Sequence, residues 1–460
     1  MPPFYFGGVM DKKLGLWEAV SLAVGSMIGA GIFSVLGVGA EICGSNLPIA
    51  FFIAALISFC VAYSYAKLGS VFISNAGPIE FIIRGIGDNP VTGALSILMW
   101  FSYVISISLF AKAFAGYFLA LFHLKLSAIN IVILETLVIS FFTVLNFFGS
   151  KAVGKAEFWI VLIKVSILLS FVVLGIWSIN PDYLVPDLSH KAILNTFFAA
   201  SVLFLTYMGF GLITNASENI ENPQKNVPKA IYISIIIVTF VYVSVAVVAV
   251  GNLGAEGLIK AKEYALAEAA KPFLGEFGFT LVAIGALFST SSAINATLYG
   301  GANVAYVLAK KGELPKIFER KVWFNEPEGL YITAVLSLLF AIFFDLDGIS
   351  SLISFTFLVI YIFVIASHFK LADIVGGSKH IILFNFIVVF TVFIILNIYQ
   401  WRETKASFFT SYAVLIVAII IEVFLRQFTA KTMHKREFSK KRTMLYNVLN
   451  LKKISFRGKD

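Results

Sequence analysis

The chain has 460 residues, of which 59% are hydrophobic and 13% are charged, and its formal net charge is +9. A soluble domain is about 45–50% apolar and about 25% charged. This composition excludes a soluble globular protein and indicates a polytopic membrane protein.

Long apolar stretches recur along the whole sequence. A transmembrane helix needs about 20 mostly apolar residues. Such stretches lie near 15–42, 47–66, 92–121, 129–148, 156–178, 194–214, 230–251, 275–309, 330–346, 350–369, 381–399 and 407–425. We therefore predict an all-α polytopic membrane protein with 12 transmembrane helices, which form a transporter domain over residues 1–425.

Glycines interrupt the first and the sixth of these spans. The first contains GSMIGAGIFS, with Gly25, Gly29 and Gly31, and the sixth contains Gly209 and Gly211. Each glycine costs a helix interior about 1 kcal/mol relative to alanine. Matched interruptions in two halves of a chain point to a transporter's binding site, so we expect helices 1 and 6 to be broken mid-membrane. The alternative is that these glycines only permit close helix packing.

The two glycine-interrupted spans each open a block of five. The blocks cover residues 15–178 and 194–369, and an odd number of spans gives them opposite orientations in the membrane. The sequence therefore predicts a five-plus-five inverted repeat. Two extra helices follow at 381–425, and a basic tail follows at 426–460.

The distribution of Lys and Arg predicts the orientation. Segments on the same side as the N-terminus hold most of the 35 Lys and Arg residues, and such residues are enriched in cytoplasmic loops. We expect a multi-pass protein of the plasma membrane with both termini in the cytoplasm. This excess accounts for the net charge, so no nucleic-acid partner is expected.

Three ionisable side chains fall inside predicted spans and need an explanation. Lys164 lies in the fifth span, where an ionisable residue is by default a functional hypothesis, although its long stem permits snorkelling to water. Lys112 lies close to the outer end of the third span, so we expect it to snorkel. Glu135 in the fourth span is a candidate to pair with a neighbouring span.

Signatures of catalysis are missing from the sequence. The five histidines lie at or beyond the span ends, and no two share a helix face at the spacing of metal ligands. No G-x-S-x-G nucleophile motif occurs either. We expect neither an enzyme nor a metal or cofactor site.

Four motifs resemble signatures of the amino acid–polyamine–organocation (APC) superfamily. They are GSMIGAGIF, YAKLGSVFISNAGPIEFI at 65–82, GFGLITNASENIENPQKNVPKAI at 209–231 and NATLYGGANVAYVLAKKGELP at 295–315. The similarity runs over nearly the whole chain and is greatest to proton-coupled prokaryotic members of broad specificity. It implies a leucine-transporter-like fold and amino acid transport.

The resemblance also implies a place for the backbone of the substrate. Its carboxylate is expected at the amides of Ala30 and Gly31, where an unwound helix offers free donors. Its ammonium group is expected at the carbonyls of Met27, Leu205 and Met208.

The substrate's side chain is expected to meet Tyr207 and Phe210. The chain departs from its family at Gly211, where many members carry Glu, at Lys67, where Glu is usual, and at Asn303, where Arg is common. Without an acid at Gly211, the pocket has no fixed charge to favour basic substrates, and one family candidate for proton sensing is missing.

Lys164 matches a fifth-span lysine of the proton-coupled members. That lysine occupies the place where sodium-coupled relatives hold an ion between the first-span break and eighth-span hydroxyls. The corresponding partners here are the Gly25 carbonyl and the hydroxyls of Ser289 and Ser292, which share one helix face. Burial disfavours the charged form of a lysine, which makes proton exchange near physiological pH feasible.

The sequence therefore predicts a secondary active transporter that imports amino acids by alternating access, coupled to protons through Lys164. Two alternatives stay open. In a proton-independent exchanger Lys164 would remain permanently charged. An amino-acid sensor would bind without transporting, although the short loops include no added signalling domain.

Overall fold

A computed structural model describes residues 13–74, 76–146, 153–310, 314–321 and 327–428 of the protein. Of Ala30 only the backbone is described, and most of the predicted basic tail lies outside these ranges. The described residues form helices and loops, and extended pairing is limited there to isolated bridges between Leu14 and Ile220 and between Lys321 and Pro327.

The α-helices run in the following order along the described residues: α1 (Leu16–Cys43), α2 (Leu47–Val71), α3 (Pro78–Ile86), α4 (Pro90–Leu121), α5 (Ala128–Asn146), α6 (Val153–Gly175), α7 (His190–Leu203), α8 (Gly211–Asn215), α9 (Pro223–Ala261), α10 (Ala265–Glu268), α11 (Lys271–Lys310), α12 (Glu328–Phe343), α13 (Leu346–Val375), α14 (Lys379–Glu403) and α15 (Lys405–Phe428).

Each predicted span has a helical counterpart, so the prediction of an all-α polytopic protein is confirmed. Within the described ranges, 10 helical stretches are long and apolar enough to cross a membrane, and α12 is a shorter apolar helix. The ends differ most in the seventh span, because α9 continues past residue 251 and changes direction at Gly254, whose φ is +71°. Glycine adopts a positive φ without steric cost.

The short helix α3 was not predicted. α3 has only 9 residues, too few for a span, and joins the second span to the third. Pro78 stands in its first turn, and Gly87 follows its end with a φ of +85°, an arrangement that favours a helix start and stop respectively. The helix buries Phe81 and Ile82 and packs against α13 and α4.

The sixth span changes from α-helix to 3-10 helix in its middle. α7 ends at Leu203, and a 3-10 helix of 7 residues, Phe204–Phe210, separates it from α8. Stretches of 3-10 helix longer than 3–4 residues are uncommon, and within a span they often mark a functional hinge. We call Phe204–Phe210 the central 3-10 segment.

The first span differs from the prediction. α1 is helical from Leu16 to Cys43, so the break expected at Gly25, Gly29 and Gly31 is not present. The glycine cost of about 1 kcal/mol each is offset by packing, since α1 lies against α7, α9 and α11. Glycine permits unwinding but does not impose it.

Candidate functional site

One glycine of the first span and one of the sixth each lie at close range against the other span. A Cβ on Gly31 would lie 2.9 Å from the Thr206 Cβ, and one on Gly209 would lie 2.8 Å from the Met27 nitrogen. Real Cβ contacts are essentially never that short. The two glycines therefore allow α1 to touch the central 3-10 segment, which supports the packing alternative for this conformation.

The residues predicted to hold the substrate's backbone all lie at this crossing. The amides of Ala30 and Gly31 are part of a continuous helix, where backbone donors pair along the helix itself. Leu205 and Met208 belong to the central 3-10 segment, and each is 8% exposed. The structure places Met27 against the segment that contains Leu205 and Met208, but leaves the predicted carboxylate donors within a helix.

Aromatic side chains surround the predicted side-chain pocket. Phe210 is fully buried and stands edge-on to Tyr65, with ring centroids 5.3 Å apart, and stacks on Tyr361 at 6.1 Å. The hydroxyl of Tyr207 donates to the Phe51 carbonyl at 3.1 Å. A Cβ on Gly211 would meet only the Tyr65 ring, at 3.8 Å. This side of the crossing is apolar.

Lys164 reaches the first span, as the resemblance implied. Its residue surface is only 1% exposed, and its Nζ donates to the Gly25 carbonyl at 2.7 Å. An ammonium group that is buried against α1 does not snorkel to water. The contact holds α6 to the part of α1 that precedes the glycine crossing.

The eighth-span serines approach the same stretch of α1. Ser289 is fully buried, and its hydroxyl donates to the Ile28 carbonyl over 3.4 Å. Ser292 lies one turn further along α11 and is 9% exposed. The structure thus brings Lys164, Gly25 and Ser289 to one side of α1, with α6 and α11 contacting carbonyls three residues apart.

Lys112 forms an ion pair within the protein instead of reaching out to water as predicted. Its Nζ lies 3.0 Å from the Glu135 carboxylate, and the Glu135 side chain is fully buried. The pair joins α4 to α5. The expectation for Lys112 is wrong because its partner is on a neighbouring helix, while the expectation that Glu135 pairs across spans is met.

Three charged residues meet at the end of α1 that the sequence places on the outer side. Lys262, between α9 and α10, forms ion pairs with Glu41 of α1 and with Asp347 of α13, the latter at 3.2 Å. A Cβ on Gly37 would overlap the Lys262 carbonyl. These contacts tie α1 and α13 to the turn that follows α9, and we call Glu41, Lys262 and Asp347 the outer triad.

Tyr242 of α9 also touches the crossing, and sequence reasoning missed it. Its hydroxyl donates to the Met27 carbonyl at 2.5 Å and lies 3.3 Å from the Thr206 carbonyl. The residue stands in an apolar run, VYVSVAVV, that looks like ordinary span sequence. No local signal identifies it, because its partner is 215 residues away.

Known proteins resemble this chain over almost its full length. An uncharacterised protein of Methanocaldococcus jannaschii is 58% identical over 94% of this chain and 99% of its own length. The inner membrane transport protein YbaT of Escherichia coli is 32% identical over 91% of this chain and 97% of its own. The branched-chain amino acid permease BcaP of Bacillus subtilis is 24% identical, covering 66% and 69% respectively.

The profile of one protein family, described as amino acid permease, matches residues 14–425. That range contains every helix from α1 to α14 and most of α15. The family description and the names of the Escherichia coli and Bacillus subtilis relatives are those of permeases or transport proteins, which agrees with the expectation that the chain is not an enzyme. The chain therefore belongs to the amino acid permease family of the APC superfamily, whose proteins move amino acids across membranes.

Proposed function

We propose that this protein imports amino acids across the plasma membrane by secondary active transport, coupled to protons through Lys164. The observation that carries the proposal is the contact between the buried Lys164 ammonium group and the Gly25 carbonyl. Burying an ammonium group within a membrane-spanning helix is costly, and a site of coupling explains why the chain retains one.

Lys164 acts as a cation tethered to the protein. When protonated, it donates to Gly25 and holds α6 against α1, while Ser289 holds α11 to the next turn. When the proton leaves toward the cytoplasm, the neutral amine loses its charge-assisted bond. The loosened α1 then swings with the substrate, and reprotonation restores the starting state.

In this mechanism, substrate binding requires the middle of α1 to unwind. The amides of Ala30 and Gly31 are free to bind a carboxylate only if the helix unwinds around Gly29. The low helix propensity of glycine reduces the cost of that step. In this mechanism residues 15–178 and 194–369 act as the two inverted repeats, and the binding site lies between them.

The pocket favours neutral side chains. Phe210, Tyr207 and Tyr65 supply apolar surface, and Gly211 supplies no carboxylate. In competition assays, alanine and larger neutral amino acids are expected to displace bound label better than arginine or polyamines. A preference for arginine would contradict this account of the pocket.

Liposomes that contain the purified protein test the transport mechanism. With an inward proton gradient and labelled neutral amino acid, we expect accumulation above the external concentration. A proton-independent exchanger would instead need unlabelled amino acid inside and would ignore the gradient. A sensor would bind the label without uptake. Either result would overturn the proposal.

A further inference from the structure

Tyr242 is placed against both halves of the crossing. Its hydroxyl contacts the Met27 carbonyl of α1 and the Thr206 carbonyl of the central 3-10 segment. The residue is fully buried, and its ring is held between Phe51 and Tyr207, with centroids 5.5 Å and 5.2 Å away. The hydroxyl therefore has a fixed position.

The Met27 carbonyl already has two partners in this arrangement. A backbone carbonyl offers two lone pairs. The helix N–H four residues on uses one of them, and the Tyr242 hydroxyl, at 2.5 Å, uses the other. Unwinding of α1 around Gly29 would withdraw the helix donor, the Gly31 N–H. The Tyr242 hydroxyl would still stand between the Met27 and Thr206 carbonyls, where an ammonium group that links the two segments has to bind.

We propose that Tyr242 is a positioning residue that competes with the substrate's ammonium group for the Met27 carbonyl. The inference rests on the proposed function. The tyrosine stabilises the helical form of α1 by bonding across to the central 3-10 segment. An incoming ammonium group, with three donors, displaces the single hydroxyl and takes over the link between the two segments.

This role makes a directional prediction about affinity. Tyr242→Phe removes only the hydroxyl and keeps the ring between Phe51 and Tyr207. Because a competing hydrogen bond is lost, amino acids should bind about two- to tenfold more tightly, the range expected for one typical hydrogen bond. An analogue without the α-amino group does not need the carbonyl, so its affinity should not change.

Tyr117→Phe is the matched control. Tyr117 is also fully buried, and its hydroxyl donates to another α1 carbonyl, that of Phe33, at 3.0 Å. The variant removes the same chemical group from the same helix but away from the expected ammonium position. It should bind amino acids as the wild type does.

The experiment measures dissociation constants for alanine, leucine and phenylalanine and for the corresponding carboxylic acids without the amino group. Purified full-length wild type, Tyr242→Phe and Tyr117→Phe are compared, with melting temperatures recorded on the same samples. Tighter binding of the amino acids alone, confined to Tyr242→Phe, supports the proposal. Unchanged or weaker amino-acid binding in a folded Tyr242→Phe protein overturns it, as does an equal gain for the carboxylic acids.

Failure of the proposed function gives a different result. If the wild type bound none of a full panel of amino acids, transport of this substrate class would be wrong, whatever the variants did. Wild-type binding with no effect of Tyr242→Phe would leave amino acid transport in place and remove only the competition.

Discussion

Replacing Lys164 by methionine separates coupling from stability. Methionine keeps most of the apolar stem and removes the ammonium group that bonds to Gly25. A hydrogen bond to a charged group contributes about 1.5–3 kcal/mol. Against this, burying an ion costs several kcal/mol, and the Gly25 carbonyl keeps its helix N–H partner. We therefore expect Lys164→Met to lower the melting temperature less than a truncation of the same side chain does.

Lys164→Ala should behave differently in the same melting assay. It also removes the ammonium group but leaves a cavity in a site that is 1% exposed. Truncation of a long buried side chain to alanine costs about 2–5 kcal/mol. The alanine variant should therefore melt below the methionine variant, although both lack the coupling group.

Accumulation in liposomes reports the coupling itself. A proton gradient of one pH unit is worth about 1.4 kcal/mol, which is about a tenfold concentration ratio for one proton per substrate. The wild type should approach that ratio, and both Lys164 variants should stop at equal concentrations. A double variant with Lys112→Met and Glu135→Met is the control, since it removes an ammonium group that pairs with α5. Tenfold accumulation by folded Lys164→Met would refute the reasoning.

Gly31→Val should lower the free energy of unfolding by about 1–3 kcal/mol, because the valine side chain would overpack against Thr206. Gly211→Ala has space for the added methyl group, so its melting temperature should be equal to or above that of the wild type. Equal melting temperatures of the two variants would contradict the packing geometry. Lys112→Met alone should cost about 3–5 kcal/mol because it strands the buried Glu135 carboxylate, and adding Glu135→Met should recover most of that loss in the same melts. Lys262→Met should break the ion pairs of the outer triad. A thiol reagent that cannot cross the membrane should then label Cys43, at the end of α1, faster from outside. Unchanged labelling would show that the triad does not restrict access to this end.

The spans could be predicted because the membrane imposes length and apolarity on each helix, independently of its neighbours. The site could be predicted only where a motif of the family carried it. Lys164 stood out as an ionisable residue inside a span, the resemblance to the family paired it with Gly25, and the structure places the two in contact. Whether that contact couples protons stays a prediction.

The parts that sequence reasoning missed depend on contacts between distant residues. Tyr242 and Lys262 acquire their partners only when α9 packs against α1, and neither residue type is unusual where it stands. The continuous helix of α1, where a break was predicted, was missed for another reason. Glycine lowers the cost of unwinding, but packing against neighbouring helices decides whether the helix unwinds.

The central 3-10 segment makes the sixth span adjustable in length. A 3-10 helix rises about 2.0 Å per residue and an α-helix about 1.5 Å, so the 7 residues of Phe204–Phe210 extend about 14 Å in place of about 10.5 Å. Rewinding them as α-helix would draw α8 toward α7 by about 3.5 Å and turn the faces of the two helices relative to each other. The length of the sixth span can therefore change by an amount that is set by the number of residues that change helix type.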